Sequence, residues 1–206
     1  MGKSAPVVVE LGVLEGELTF GLYDRGWTDA HYVLVDPWAP PVAHDSEAER
    51  QRMADMHVQV ELGAAERNPD NFQIHRTDAL AMSAFARSGE ADLVYIDYFL
   101  NKPIYRKVVE AWWPIVKPGG ILAGHDFARY PEIESVVRAF AAERSLDIGL
   151  LPDSTTKARL DELKKPKNAW QCQIWHIAKP MAPEPEPEPE PEHEDLEGGE
   201  DTYGGD

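Results

Sequence analysis

Apolar positions along this chain fall into two alternating patterns. Short β-branched runs of four to seven residues are separated by longer segments in which apolar residues recur every three or four positions. The first kind reads as strands covered on both faces and the second as amphipathic helices. Taken in order, the pattern predicts strand one over 7–13, a helix over 17–24 ending at Gly26, and strand two over 32–36. A Pro-rich loop, 37–41, leads to Asp45-Ser46, either of which suits an N-cap, and to a helix reaching Arg67. Strand three covers 72–75, and a short helix runs from Asp78 to Ser88-Gly89. Strand four is 93–96, the next helix 103–115, and strand five 121–123 after Lys117-Pro118-Gly119-Gly120. A helix over 132–144, strand six over 148–151 and a strongly alternating strand seven over 170–177 complete the body. Strands alternating with helices imply an α/β fold, a doubly wound parallel sheet with helices on both faces.

The junction after strand one carries the first chemical signal. Glu10-Leu11-Gly12-Val13-Leu14-Glu15-Gly16 has glycines at the strand end and at the start of a helix. Glycine lets the backbone turn sharply and lets a ligand approach it closely. Strand two ends in an acid, Asp36, about twenty residues further on, where a Rossmann-type βαβ unit hydrogen-bonds ribose hydroxyls. Asp36 also suits a turn or N-cap before Pro37. The spacing E-x-G-x-x-x-G lacks the third glycine of a dinucleotide fingerprint, which disfavours a NAD-dependent oxidoreductase.

Charge looks extreme, at −17, until it is located. Residues 183–206 carry eleven acids and no Lys or Arg, leaving 26 acids against 20 bases elsewhere. The strict Pro-Glu alternation from Pro183 to Glu192 favours an extended, solvated chain. The expected organisation is one domain over 1–181 and a disordered acidic tail over 182–206. The mildly acidic body offers no track for nucleic acid, and no run is long enough for a membrane span. Met1-Gly2-Lys3-Ser4 enters strand one without a signal peptide, and Cys172 is the single cysteine, so a cytoplasmic setting is expected.

Three segments together resemble a known family. They are Glu10 to Gly16, Val35-Asp36-Pro37-Trp38, and Trp112-Trp113-Pro114-Ile115-Val116-Lys117-Pro118-Gly119-Gly120-Ile121-Leu122-Ala123-Gly124-His125-Asp126. They are similar to class I S-adenosylmethionine-dependent methyltransferases, and most to the methyltransferase domain 24 group of small-molecule and sugar O-methyltransferases. The resemblance runs from about Val7 to about Ala178. It implies a Rossmann-like seven-stranded sheet of order 3-2-1-4-5-7-6 with strand seven antiparallel. It also implies S-adenosylmethionine as cofactor, bound by Glu10, Gly12, Gly16, Asp36, Asp78 and Ala79. Glu10 would stand near the cofactor's amino-acid end, its alternative being a satisfied acid that pins the loop, and Asp78 near the adenine amino group, where it also suits a helix N-cap.

Function in an open α/β sheet gathers at the carboxyl ends of the strands, which singles out Asp97, His125 and Asp126 as catalytic candidates. His125 is a suitable base near neutral pH. Asp97 and Asp126 orient it or, if a divalent cation is used, supply oxygen ligands. The alternative for Gly124-His125-Asp126 is a structural turn. Related domains commonly continue strand four as I-D-x-D-H-x-Y, whereas Phe99 and Leu100 stand here in place of the acid and histidine. That departure disfavours a metal and adds apolar surface at the pocket mouth. The expected activity is O-methylation of a small-molecule hydroxyl. The alternative is a non-catalytic cofactor-binding module. Only six residues precede strand one, so acceptor recognition is expected from the loops after strands two, four and five, or from a second subunit of a homo-oligomer.

Overall fold

A computed structural model describes residues 4–98, 101–151 and 173–182. Seven strands form one sheet: β1 (Val7–Leu11), β2 (His31–Asp36), β3 (Phe72–Arg76), β4 (Ala91–Ile96), β5 (Val116–Gly124), β6 (Gly149–Leu151) and β7 (Ile174–Ala178). Their spatial order is β3-β2-β1-β4-β5-β7-β6, as the resemblance implies. β1 to β5 run parallel, and β7 enters antiparallel, with Leu122 opposite Ile177 and Gly124 opposite Trp175. The connecting helices are α1 (Glu17–Asp24), α2 (Glu47–Ala65), α3 (Ala79–Ser83), α4 (Lys102–Trp112) and α5 (Pro131–Ala142).

Each face of the sheet buries its own cluster. Val8, Tyr32 and Leu34 point toward α1 and α2, where Met53, Val60 and Ala64 meet them. Val9, Val35, Val94, Ile96 and Leu122 point the other way, onto Val108, Val109 and Trp112 of α4 and Val136, Val137 and Phe140 of α5. Burying each such side chain is worth about 1.5–3 kcal/mol relative to exposure. Trp112, 1% exposed, also donates its indole N–H to the Ala79 carbonyl at 3.0 Å, tying α4 to the start of α3.

Local chemistry sets the ends. Of the two N-cap candidates, Ser46 caps α2, its hydroxyl accepting from the Glu49 amide. Asn101 caps α4 in the same way, with Pro103 in the first turn. Two expectations are corrected. α3 stops at Ser83 rather than near Ser88, and the chain leaves it through a tighter turn in which the Phe85 amide donates to the Met82 carbonyl at 2.9 Å. β5 begins at Val116, five residues earlier than its apolar run. Val116 pairs with Ala91 and Ile121 with Leu93, so Lys117-Pro118-Gly119-Gly120 bulges out of register inside the strand. Asp92 stabilises that bulge, ion-paired with Lys117 and accepting from the Val7 amide at 2.9 Å. The expected start of strand seven at Trp170, Phe99 with Leu100, and the stretch 183–206 lie outside the described residues.

The strand order places the site. β1 is flanked by β2 on one side and β4 on the other. The chain winds outward in both directions from that pair, and the crevice between their carboxyl ends is where ligands bind in open α/β sheets.

Candidate active site

Every residue expected in the site stands at or beside a strand's carboxyl end. Gly12 follows β1, Asp36 ends β2, Asp78 follows β3, Asp97 follows β4, and His125 with Asp126 follows β5. Gly12 adopts φ +86° and Gly16 φ +77°, the latter as the N-cap of α1. The close approaches that require glycine come from the protein itself. A Cβ on Gly12 would lie 2.1 Å from the Asp97 carbonyl oxygen, and one on Gly16 would meet the Phe20 ring at 2.7 Å. The loop after β1 is thus pressed against the first residue after β4.

Asp36, 8% exposed, serves this loop directly. Its Oδ2 accepts from the Val13 amide at 2.8 Å and the Leu14 amide at 3.0 Å, while Oδ1 accepts from the Trp38 amide at 2.6 Å. A carboxylate has about four acceptor positions, so one remains on Oδ1 for a ligand hydroxyl. Trp38 closes the circle by donating its indole N–H to the Leu14 carbonyl at 2.9 Å. Leu14 and Trp38 both have positive φ, 50° and 39°. The left-handed region costs a non-glycine residue roughly 1–2 kcal/mol, which the hydrogen bonds to Asp36 offset.

Glu10 lies deeper, 3% exposed, with its Oε2 accepting from the Thr19 hydroxyl of α1. Desolvation raises its carboxyl to about 8, opposed by the Thr19 hydrogen bonds and reinforced by the negative charges of Asp97 and Asp36. At neutral pH it is therefore mostly a neutral acid beneath the loop. Asp78 caps α3, its Oδ1 accepting from the Leu80 amide at 2.8 Å and the Ala81 amide at 3.3 Å. Its Oδ2 accepts from the Tyr98 hydroxyl at 2.7 Å. Burial and that carboxylate push the Tyr98 phenol upward. Ala79 is 2% exposed and engaged through its carbonyl with Trp112.

At the outer rim, His125 Nδ1 stands 3.4 Å from Asp126 Oδ1 and 3.7 Å from Asp97 Oδ1. Arg129 approaches Asp126 Oδ1 to 3.7 Å. Asp126 holds φ +59°, and its buried Oδ1 makes no hydrogen bond among the described residues. Desolvation raises the Asp97 carboxyl above the usual carboxylate range. Its interaction with His125 opposes that shift and the Asp126 carboxylate adds to it. One ligand atom from each of Asp97, His125 and Asp126 falls within 4.8 Å of the others. Two carboxylates and an imidazole suit either a base held in one orientation or a divalent cation with oxygen and nitrogen ligands.

Three contributors escape a strand-end reading of the sequence. Thr19 and Tyr98 satisfy Glu10 and Asp78, and Trp38 ties the glycine loop. Only Trp38 leaves a trace in the sequence, as the aromatic in Val35-Asp36-Pro37-Trp38.

Among the described residues no helix is long and apolar enough to cross a membrane. Solved structures share the fold. An S-adenosylmethionine-dependent O-methyltransferase from Thermotoga maritima superposes with TM-score 0.58 at 12% identity, covering 89% of this chain and 62% of that one. A cofactor-bound protein from MTB gives 0.56 at 13%, covering 87% and 75%. The carbon methyltransferase CurJ gives 0.55 at 11%, covering 87% and 50%. This chain thus spans from half to three quarters of the length of these proteins, one of them an O-methyltransferase and another a carbon methyltransferase. No curated protein sequence matches it. Residues 9–127, more than half of the chain, match the family described as Methyltransferase domain, the domain 24 group. The match begins inside β1, ends just beyond Asp126 and so takes in every residue of the crevice, and the chain belongs to that methyltransferase family.

Proposed function

We propose that this protein is an S-adenosylmethionine-dependent methyltransferase that methylates a hydroxyl on a small molecule, with His125 as general base. The convergence of Asp97, His125 and Asp126 within 4.8 Å at the carboxyl ends of β4 and β5 carries the reading. The glycine loop and Asp36 fit the nucleoside end of the cofactor, with one free acceptor position on Asp36 for a ribose hydroxyl. When bound, the cofactor supplies an electrophilic methyl group on a sulfonium. The chain's part is to hold the acceptor in line and to take its proton. Asp97 and Asp126 lie on the Nδ1 side of His125, at 3.7 and 3.4 Å, which would leave Nε2 to receive the hydroxyl proton.

The same cluster supports a second reading. Asp97, His125 and Asp126 would hold a divalent cation, which would acidify a coordinated hydroxyl. We favour the metal-independent reading because Phe99 and Leu100 replace polar positions that related domains carry beyond Asp97. Formation of S-adenosylhomocysteine across a panel of hydroxylated acceptors, with and without chelator, tests both. Absence of turnover with tight cofactor binding would instead indicate a non-catalytic binding module.

A further inference from the structure

The tip of the glycine loop, Leu14 and Glu15, is exposed, while Val13 before it is buried in the cluster that holds Trp38. The loop's shape rests on backbone ties: Val13 and Leu14 amides to Asp36, and the Leu14 carbonyl to the Trp38 indole. Trp38 is in turn fixed from three sides. Its amide is bound to Asp36 Oδ1, its carbonyl accepts from Arg76 Nη2 at 3.2 Å at the end of β3, and its ring packs at 4.5 Å between centroids on His57 of α2. His57 stands 3.7 Å from Glu61, one turn along the same helix. The indole is 1% exposed, so the bond to Leu14 is shielded from competing water.

We propose that Trp38 is a positioning residue for cofactor binding, its indole N–H holding the Leu14 carbonyl so that the glycine loop is shaped before the ligand arrives. The inference rests on the methyltransferase reading, since it assigns the shaped loop to an adenosyl ligand. Two amides and one carbonyl of a single loop are held by two residues of one turn, so the ordering cost of the loop is met during folding and not during binding. Trp38 acts through Leu14 and touches no reacting atom.

Trp38→Phe keeps an aromatic ring for His57 and removes the donor together with part of the buried indole, so a lower thermal midpoint is expected as well. Amide hydrogen exchange at Val13 and Leu14 in the free variant should accelerate at least about tenfold, and the affinity for S-adenosylhomocysteine measured by calorimetry should fall by about tenfold. Tyr32→Phe is the control. It removes a hydroxyl bond of 2.8 Å to the Trp27 carbonyl in the same hydrophobic cluster, at the opposite end of β2. It should lower the thermal midpoint and leave S-adenosylhomocysteine affinity unchanged. Unchanged loop exchange, or unchanged affinity with a loosened loop, would overturn the assignment of Trp38. A wild-type chain that fails to bind S-adenosylhomocysteine would overturn the cofactor reading instead, while loop exchange still reports the tie. If Trp38→Phe does not fold, the indole proton of the wild type decides by its own exchange. It should be strongly protected and gain protection on adding S-adenosylhomocysteine, and exchange at the rate of a surface indole would refute the tie.

Discussion

Glu10→Gln is the substitution whose consequence can be worked furthest. The wild-type carboxyl titrates near 4.5 in an unfolded chain and about 8 in the fold, so the folded state binds the proton more tightly. Stability drawn from this group is fully present below pH 4.5 and is lost as pH rises toward 8, at about 1.4 kcal/mol per pH unit. The whole interval amounts to about 5 kcal/mol, an upper bound because a small displacement of α1 would admit water and soften the cost of ionisation. A domain typically has about 5–15 kcal/mol in total, so the wild type should weaken markedly in mild alkali. Glutamine keeps the shape and a hydrogen bond for Thr19 but carries no charge. Urea denaturation of both proteins from pH 4 to pH 9.5 isolates the effect as a difference curve, with other titrating groups cancelling. The curves should coincide below pH 4.5, diverge in favour of Glu10→Gln up to about pH 8, and run parallel above it. A difference that is flat across this range would mean that Glu10 is solvated or charge-paired, and the burial argument would fail.

Other outcomes follow from the same geometry. His125→Ala should preserve S-adenosylhomocysteine binding and cut turnover by about 10²–10⁴-fold; full activity would leave the histidine a turn residue after β5. Asp36→Ala strands the amides of Val13, Leu14 and Trp38, and at about 1–3 kcal/mol for each buried unsatisfied donor it should lower both stability and S-adenosylhomocysteine affinity. A folded variant with wild-type affinity would remove Asp36 from the pocket. Lys179→Met deletes bonds to the carbonyls of Trp113, Pro114 and Val116, at 3.0, 3.3 and 2.6 Å, and should cost about 1–2 kcal/mol in chemical denaturation without changing cofactor affinity.

The sheet was legible because its strands are apolar runs punctuated by glycine or an acid, and those punctuation marks are also the site. Asp36, Asp97 and His125 could be placed at the carboxyl edge of the sheet from the strand ends, since a parallel sheet sends every such junction to one edge, whereas their adjacency followed from the strand order that the resemblance implies. What spacing does not carry is the direction and partner of a polar side chain. Asp36 looks in sequence like a residue waiting for ribose, yet most of its acceptor capacity is spent on its own loop. The glycines at 12 and 16 likewise make room for Asp97 and Phe20. Element ends set by a local turn, such as the one after Ser83, or by a register jump, as in β5, leave no periodic signal.

The position of β1 between β2 and β4 bears on how the molecule assembles. Its contact with β4 joins residues far apart in the chain: the amide of Val7 is bonded to Asp92, 85 positions away. Closing a loop of that size is slow and entropically unfavourable until the contacts it brings are made. The glycine loop also meets its second wall only then, since Gly12 rests on Asp97 and the Asp97 amide donates to the Leu11 carbonyl. A partly folded chain with β1 and β2 paired but β4 absent holds half a crevice. On the proposed reading, completing the central sheet also completes the cofactor crevice, so a saturating ligand should resist global unfolding as well as local opening of the loop.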